Sequence, residues 1–176
     1  MRDYGHITAS LFQMDEGTWQ RHASPWSVWT RVASLPLLLG AIWSHAWLGI
    51  WALVPVAVVV LWLWLNPRLF PAPERTDTWS AMTTFGERVW LNRKNVPIPD
   101  HHARMAHLLT AISAAGFVVA LAGAFLNNLF LTVSGGLVAW FAKMWFCDRM
   151  VWLYDEMKNK HPPYAEWLRV GQKEVR

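Results

Sequence analysis

The stretch Val32–Leu65, VASLPLLLGAIWSHAWLGIWALVPVAVVVLWLWL, decides the fold, because it runs for 34 residues without one Asp, Glu, Lys or Arg. A membrane span needs about 20 apolar residues, so this run is too long for one span and just long enough for two. It reads as a helical hairpin turning near Trp43-Ser44-His45-Ala46-Trp47, where tryptophans suited to the headgroup level bracket a Ser-His pair. Upstream, Ser24-Pro25 is a capping residue followed by the proline favoured in a first helical turn, which brings the first helix to about twenty residues. Arg31 then sits at the inner boundary, its stem in lipid and its guanidinium at the headgroups. Pro36 and Pro55 fall inside these two helices and are expected to kink them.

Downstream, the second helix is expected to stop at Asn66-Pro67, ahead of Pro71 and Pro73. Within the loop that follows, Asp77 can cap a helix from Thr78 to Asn92. Trp79, Met82, Phe85, Val89 and Trp90 fall on one side of it, and Glu87 and Arg88 on the other. That pattern predicts an amphipathic helix lying on the membrane. Pro97 and Pro99 end the loop before a new cap at Asp100. Between Arg104 and Lys143 lie 38 residues whose only titratable side chain is His107, which predicts a second hairpin turning at Asn127-Asn128. Gly116, Ala120 and Ala124 on the third helix, and Gly135 and Ala139 on the fourth, repeat every four residues and would let the backbones approach closely. The fourth helix should run on through Asp148 and Tyr154 to Lys158, ending before Pro162-Pro163.

Composition agrees with lipid as the solvent. Of 176 residues, 54% are hydrophobic, 14 are Trp and only 16% are charged, against about 25% charged in soluble domains. The net charge of +4 is not gathered into a basic stripe, which argues against nucleic acid as a partner. Cys147, the single cysteine, cannot form an internal disulfide. The first 31 residues carry Asp3, His6, Asp15, Glu16 and His22 and show no short apolar core of a cleavable signal, so the first span itself is expected to direct insertion. All 16 Lys and Arg lie in the amino-terminal segment, the middle loop or the carboxy-terminal segment and its boundary. Under the positive-inside rule these are cytoplasmic. The fold expected is therefore all-α: a four-transmembrane-helix bundle of two hairpins, with an amphipathic interfacial helix in the cytoplasmic middle loop. Residues 1–24 form a cytoplasmic segment, 25–158 the membrane domain and 159–176 a cytoplasmic tail. The location is the inner (plasma) membrane with both termini cytoplasmic, and the partners are the bilayer together with a membrane-protein partner or a second copy.

The candidate site is the inner rim, which the order of segments populates with His22, Arg31, Asn66, Arg68, Glu87, Arg88, His102, Lys143, Asp148 and Arg149. One reading makes it a polar pocket for an anionic headgroup or small polar ligand. The competing reading makes these residues boundary anchors paired with one another. Lys143 and Asp148 share a helix with Trp140, Trp145 and Trp152, so part of this charge would lie below the headgroups, where it must face the bundle. His101-His102 with His22 and an acid could supply metal ligands, but His102 and His107 are five apart, about 140° around a helix, and no metal residue is assigned. No cofactor is identified, and phosphate loops, nucleophile elbows and paired cysteines are missing from the sequence. Most tryptophans fit interfacial belts, Trp43, Trp47 and Trp51 outside and Trp26, Trp29, Trp62, Trp64, Trp140 and Trp145 inside, although an aromatic cage could be built from a subset.

Four stretches carry a resemblance: WQRHASPWSVWTR (Trp19–Arg31), NPRLFPAPERTDTW (Asn66–Trp79), GERVWLNRK (Gly86–Lys94) and KMWFCDRMVWLYDEM (Lys143–Met157). Together they make the chain similar to an uncharacterised family of small, Trp-rich prokaryotic integral membrane proteins. The resemblance implies a four-helix membrane fold and a prokaryotic origin, and it transfers no catalytic residue. The function expected is a non-catalytic accessory subunit or a binder of a small hydrophobic or amphipathic ligand at the inner rim. The alternative is a membrane-embedded enzyme on a lipid-phase substrate, with His22, His102, Glu87 or Asp148 as acid, base or metal ligand. The topology is checked by reporter fusions in a bacterial inner membrane. A phosphatase that works only outside should be active when fused after His45 or Asn127 and silent after Lys94 or Lys160; activity after Lys94 would overturn the orientation.

Overall fold

A computed structural model of the chain describes residues 16–170, and every regular element among them is helical. In chain order these are α1 (Glu16–His22), α2 (Pro25–Val32), α3 (Ser34–Trp43), α4 (His45–Leu48), a 3-10 turn (Gly49–Ala52), α5 (Leu53–Leu69), α6 (Trp79–Leu91), α7 (Asp100–Phe125), α8 (Leu129–Lys158) and α9 (Pro162–Ala165). Among the described residues three helical stretches are long and apolar enough to cross a membrane: Pro25–Leu69, Asp100–Phe125 and Leu129–Lys158, of 45, 26 and 30 residues. Residues 1–15 and 171–176, which belong to the two expected cytoplasmic segments, lie outside the described part. Of the described residues, those up to Val28, Pro67–Ala103 and those from Cys147 onward form one compact unit, and Trp29–Asn66 with Arg104–Phe146 form a second. The second is apolar: Arg31, Arg104 and Lys143 are its only Asp, Glu, Lys or Arg side chains.

In the apolar unit the 45-residue stretch does not continue straight. The Asn66 side-chain amide donates to the Thr30 hydroxyl at 2.7 Å, although 36 residues of uninterrupted helix would hold the two about 54 Å apart. The long helix is interrupted over Ser44–Ala52 by a turn, the short α4 and the 3-10 turn. There Gly49 adopts φ 55°, a left-handed conformation that a Cβ would strain, at the end of α4. Pro36 and Pro55 were expected to kink helices from within, but each is the third residue of a helix, α3 and α5. A first turn has no intrahelical acceptor for its N–H groups, so proline forfeits nothing there. Pro67 shows the opposite: α5 runs through it to Leu69 instead of stopping at Asn66-Pro67, and the ring is fully buried.

Helices α7 and α8 meet through their glycines. A Cβ built on Gly116 would lie 2.7 Å from the Ala139 nitrogen and 2.9 Å from the Gly135 carbonyl oxygen, and one on Gly135 would lie 2.7 Å from the Gly116 carbonyl oxygen. Ala120 and Ala124 are fully buried, and Ser113 donates to the Ala139 carbonyl at 3.0 Å. The small-residue repeat of the sequence is therefore a backbone contact, and Gly123, outside that repeat, extends it against Leu131 and Thr132. The backbone turns at Asn127 (φ 51°), between α7 and α8, and the Asn128 amide closes the turn onto the Gly123 carbonyl at 2.8 Å. Large apolar side chains cover the outside, Trp47 and Trp51 among them at 69% and 72% exposure, which suits hydrocarbon or headgroups and not water.

In the polar unit α6 is capped by Thr78, whose hydroxyl accepts from the Ala81 amide at 3.3 Å, and not by Asp77. Asp77 instead accepts two hydrogen bonds from Arg75, at 2.8 and 3.1 Å, which hold its carboxyl below the usual carboxylate range. The face of α6 that is most buried also differs from the Trp-Met stripe. It consists of Ser80, Ala81, Thr83, Thr84 and Gly86 together with Phe85 and Val89, while Trp79, Met82 and Trp90 are half-buried. Gly86 abuts the backbone of Met150 on α8 so closely that no Cβ would fit, and Thr83 donates to the Cys147 carbonyl at 3.2 Å. Small side chains let α6 reach the α8 backbone, which a hydrophobic-periodicity reading does not reward. Helix α8 ends at Lys158, as read from the sequence, and α7 starts at Asp100 with Pro99 supplying the first acceptor to His102 and Ala103.

Replacing Gly135 by Val should cost about 1–3 kcal/mol or more through overpacking. Gly40→Ala, which meets nothing within 4 Å, should be neutral to slightly stabilising. Thermal unfolding in mild detergent reads both, and equal midpoints would refute the close contact.

Candidate functional site

In the polar unit, α6, α8 and the carboxy-terminal segment converge on a cluster of rings. Trp167 lies parallel to Tyr154 (centroids 6.4 Å apart, planes 4° apart) and in tilted contact with Phe85 at 5.7 Å and Tyr164 at 4.9 Å. The Arg88 guanidinium covers the Trp167 ring at 4.1 Å, a cation–π contact. Both tyrosine hydroxyls are used: that of Tyr154 donates to the Tyr164 carbonyl at 3.0 Å, and the Asn92 amide donates to that of Tyr164 at 2.8 Å. Thr76 fastens the segment to the middle loop. Its hydroxyl donates to the Trp167 carbonyl at 2.8 Å and accepts from the Arg169 amide at 2.6 Å, and its own amide donates to the Arg169 carbonyl at 2.9 Å.

Beside this cluster is a cavity of about 170 Å³. Ala23, Phe85 and Trp167 form its apolar walls, and Gln20, Thr76, Arg88, Glu166 and Arg169 bring polar groups. Its lining includes two arginines and one glutamate, a balance of charge that favours a small anionic group. A second hollow, of about 620 Å³, belongs to the apolar unit, between α3 residues such as Leu39 and Trp43 and α8 residues such as Gly136 and Trp140. Apart from the two indoles its polar lining is the Thr132 hydroxyl, already bonded to the Asn128 carbonyl at 2.9 Å, so this hollow is a surface for hydrocarbon.

Of the ten residues expected at the inner rim, Arg88 lines the polar cavity, and His22 is buried on the turn next to Ala23, its ring edge-on to Trp19 at 5.7 Å. His102 is elsewhere in the same unit, its Nε2 bonded to Glu156 at 2.9 Å. Arg149 lies over Trp152 at 4.7 Å, and Asp148, Glu87 and Arg68 are half-buried outside the cavity lining. Arg31, Asn66 and Lys143 belong to the apolar unit, where Asn66 is buried against Thr30 and Lys143 lies over Phe146 at 4.3 Å. The sequence reading missed Thr76, Trp167 and Glu156. Thr76 and Trp167 lie 91 residues apart; Thr76 stands within the motif Asn66–Trp79, but nothing in the sequence pairs it with Trp167, which lies in no motif or periodic pattern.

Three metal-ligating side chains also converge here. The ligand atoms of His101, His102 and Glu156 all lie within 4.8 Å of one another, His101 Nε2 being 3.8 Å from the carboxylate oxygen that His102 also meets.

Residues 6–171 match the family described as a family of unknown function, DUF6653. The chain belongs to this family. Its standing agrees with the resemblance carried by the Trp-rich motifs, and the family description assigns no activity to any residue. No curated protein and no solved structure matches the chain.

Thr76→Val removes the two hydrogen bonds made by the Thr76 hydroxyl and should destabilise the polar unit by about 1–3 kcal/mol. Limited proteolysis should then cut after Tyr164 faster than in the parent; an unchanged cleavage rate would show that the clasp carries no stability.

Proposed function

We propose that this member of the DUF6653 family is a non-catalytic multi-pass membrane protein that binds the anionic head of a small amphipathic molecule on the cytoplasmic face. The observation that carries the reading is the 170 Å³ cavity whose lining Arg88, stacked on Trp167, shares with Arg169, Thr76 and Gln20. A guanidinium held against an indole is pre-oriented, and its planar fork suits phosphate or carboxylate oxygens. The cavity is large enough for such a head and too small for a whole amphipath, whose tail would remain in the bilayer. Both termini are taken as cytoplasmic in the plasma membrane because Lys and Arg gather in the segments that build the polar unit. The doubling back between Thr30 and Asn66 and the reversal at Asn127 support four spans arranged as two hairpins.

The test is purification of the full chain in mild detergent, native mass spectrometry, and reconstitution into nanodiscs of phosphatidylcholine with or without phosphatidylglycerol. Wild-type protein should retain an anionic amphipath, and Arg88→Ala and Trp167→Ala should each weaken retention at least tenfold, about 1.4 kcal/mol. Equal retention in all three proteins refutes the site. A stoichiometric protein partner that survives both substitutions would instead favour an accessory subunit, and turnover of an added lipid abolished by Asp148→Asn would favour an enzyme.

A further inference from the structure

Adjacent residues on a helix point about 100° apart, so His101 and His102 would ordinarily diverge. In the first turn of α7 they do not. Their rings stand 4.2 Å apart at 37°, and both Nε2 atoms face one oxygen of Glu156 on α8, at 3.8 and 2.9 Å. A tetrahedral ion with bonds of about 2.0–2.1 Å spaces its ligand atoms roughly 3.3–3.4 Å apart. The two observed separations bracket that value, so small side-chain rotations complete the set.

The surroundings differ for each ligand in a way that suits coordination. His102 is 5% exposed, and its Nε2–H donates to the Glu156 carboxylate, the proton a metal would displace. His101 is exposed and leaves a side open to water or another ligand. The second oxygen of Glu156 accepts from Lys160 at 2.6 Å, an outer contact that turns the first oxygen toward the imidazoles. Lys160, with Arg149 close enough to act electrostatically on His102, brings positive charge, which disfavours ions held by charge alone, such as magnesium or calcium. Two imidazoles and one carboxylate select zinc and its first-row neighbours.

We propose that His101, His102 and Glu156 form a three-ligand site for a divalent transition ion of the zinc class, with an open coordination position. The site is distinct from the Arg88 cavity and does not depend on it. The experiment uses the full chain, purified without a histidine tag, stripped with chelator and titrated with zinc by calorimetry. Cobalt absorption serves as a second readout. The expected result is one equivalent of zinc per chain with release of a proton, cobalt visible bands of an imidazole-bound centre, and at least tenfold weaker binding in His101→Ala and in Glu156→Gln. His107→Ala, an exposed histidine of the same helix, should bind like the parent. Because His102 is buried and its replacement removes packing as well as a ligand, the decision rests on His101→Ala and Glu156→Gln. Parent protein without a stoichiometric equivalent, or binding unchanged in both His101→Ala and Glu156→Gln, overturns the proposal.

Discussion

Backbone contact between α7 and α8 is the constraint on which the rest of the apolar unit depends. In hydrocarbon, burying a leucine against another helix gains little over leaving it against an acyl chain, so helix association must come from close van der Waals approach and weak polar contacts. Gly116 and Gly135 permit that approach, and Ser113 adds a hydrogen bond to a backbone carbonyl. The glycines lack side chains where a Cβ would collide with backbone, which cannot give way as the end of a flexible side chain can. Gly86 applies the same device in the polar unit, where it seats α6 on the Met150 backbone.

A different kind of adhesion holds the polar unit. Tyr154, Tyr164, Trp167 and Phe85 stack; the Tyr154 hydroxyl donates to the Tyr164 carbonyl, the Tyr164 hydroxyl accepts from Asn92, and Thr76 bonds the backbone of Trp167. Aromatic rings with a polar tip suit an environment that is neither lipid nor bulk water, because each can bury its faces and still find a partner for its edge. Arg88 belongs to this stack, so the residue that gives the cavity its charge is positioned by the same rings that hold the unit together.

How much of this was legible in the sequence follows from the range of the interactions. The charge-free run Val32–Leu65, the charge-poor run after Arg104, the turn at Asn127 and the end of α8 at Lys158 are local or compositional signals, and the structure carries them. The four-residue glycine and alanine repeat was legible because helical period alone puts those positions on one face. The details that differed depend on choices between neighbours: Thr78 takes the cap while Asp77 turns to Arg75, and the two prolines fall at helix starts because the chain breaks just before them. The meeting of His102 with Glu156 joins residues 54 apart, and that of Thr76 with Trp167 joins residues 91 apart. No spacing rule reaches so far, and the helix angle weighed in the sequence was that between His102 and His107, which says nothing of Glu156.

The discontinuity of the polar unit bears on the order in which the protein can be made. Its three pieces are separated by the two stretches of the apolar unit, so a nascent chain leaving the ribosome holds α1 and α6 long before the last part of α8 and the Trp167 segment exist. During that interval the small polar face of α6, with Gly86 at its centre, has no α8 to cover it. Synthesis of the last long apolar helix therefore does more than lengthen the chain. It delivers the missing third of the polar unit, and a chain arrested before that point would carry an uncovered seam that proteolytic surveillance at the membrane can read.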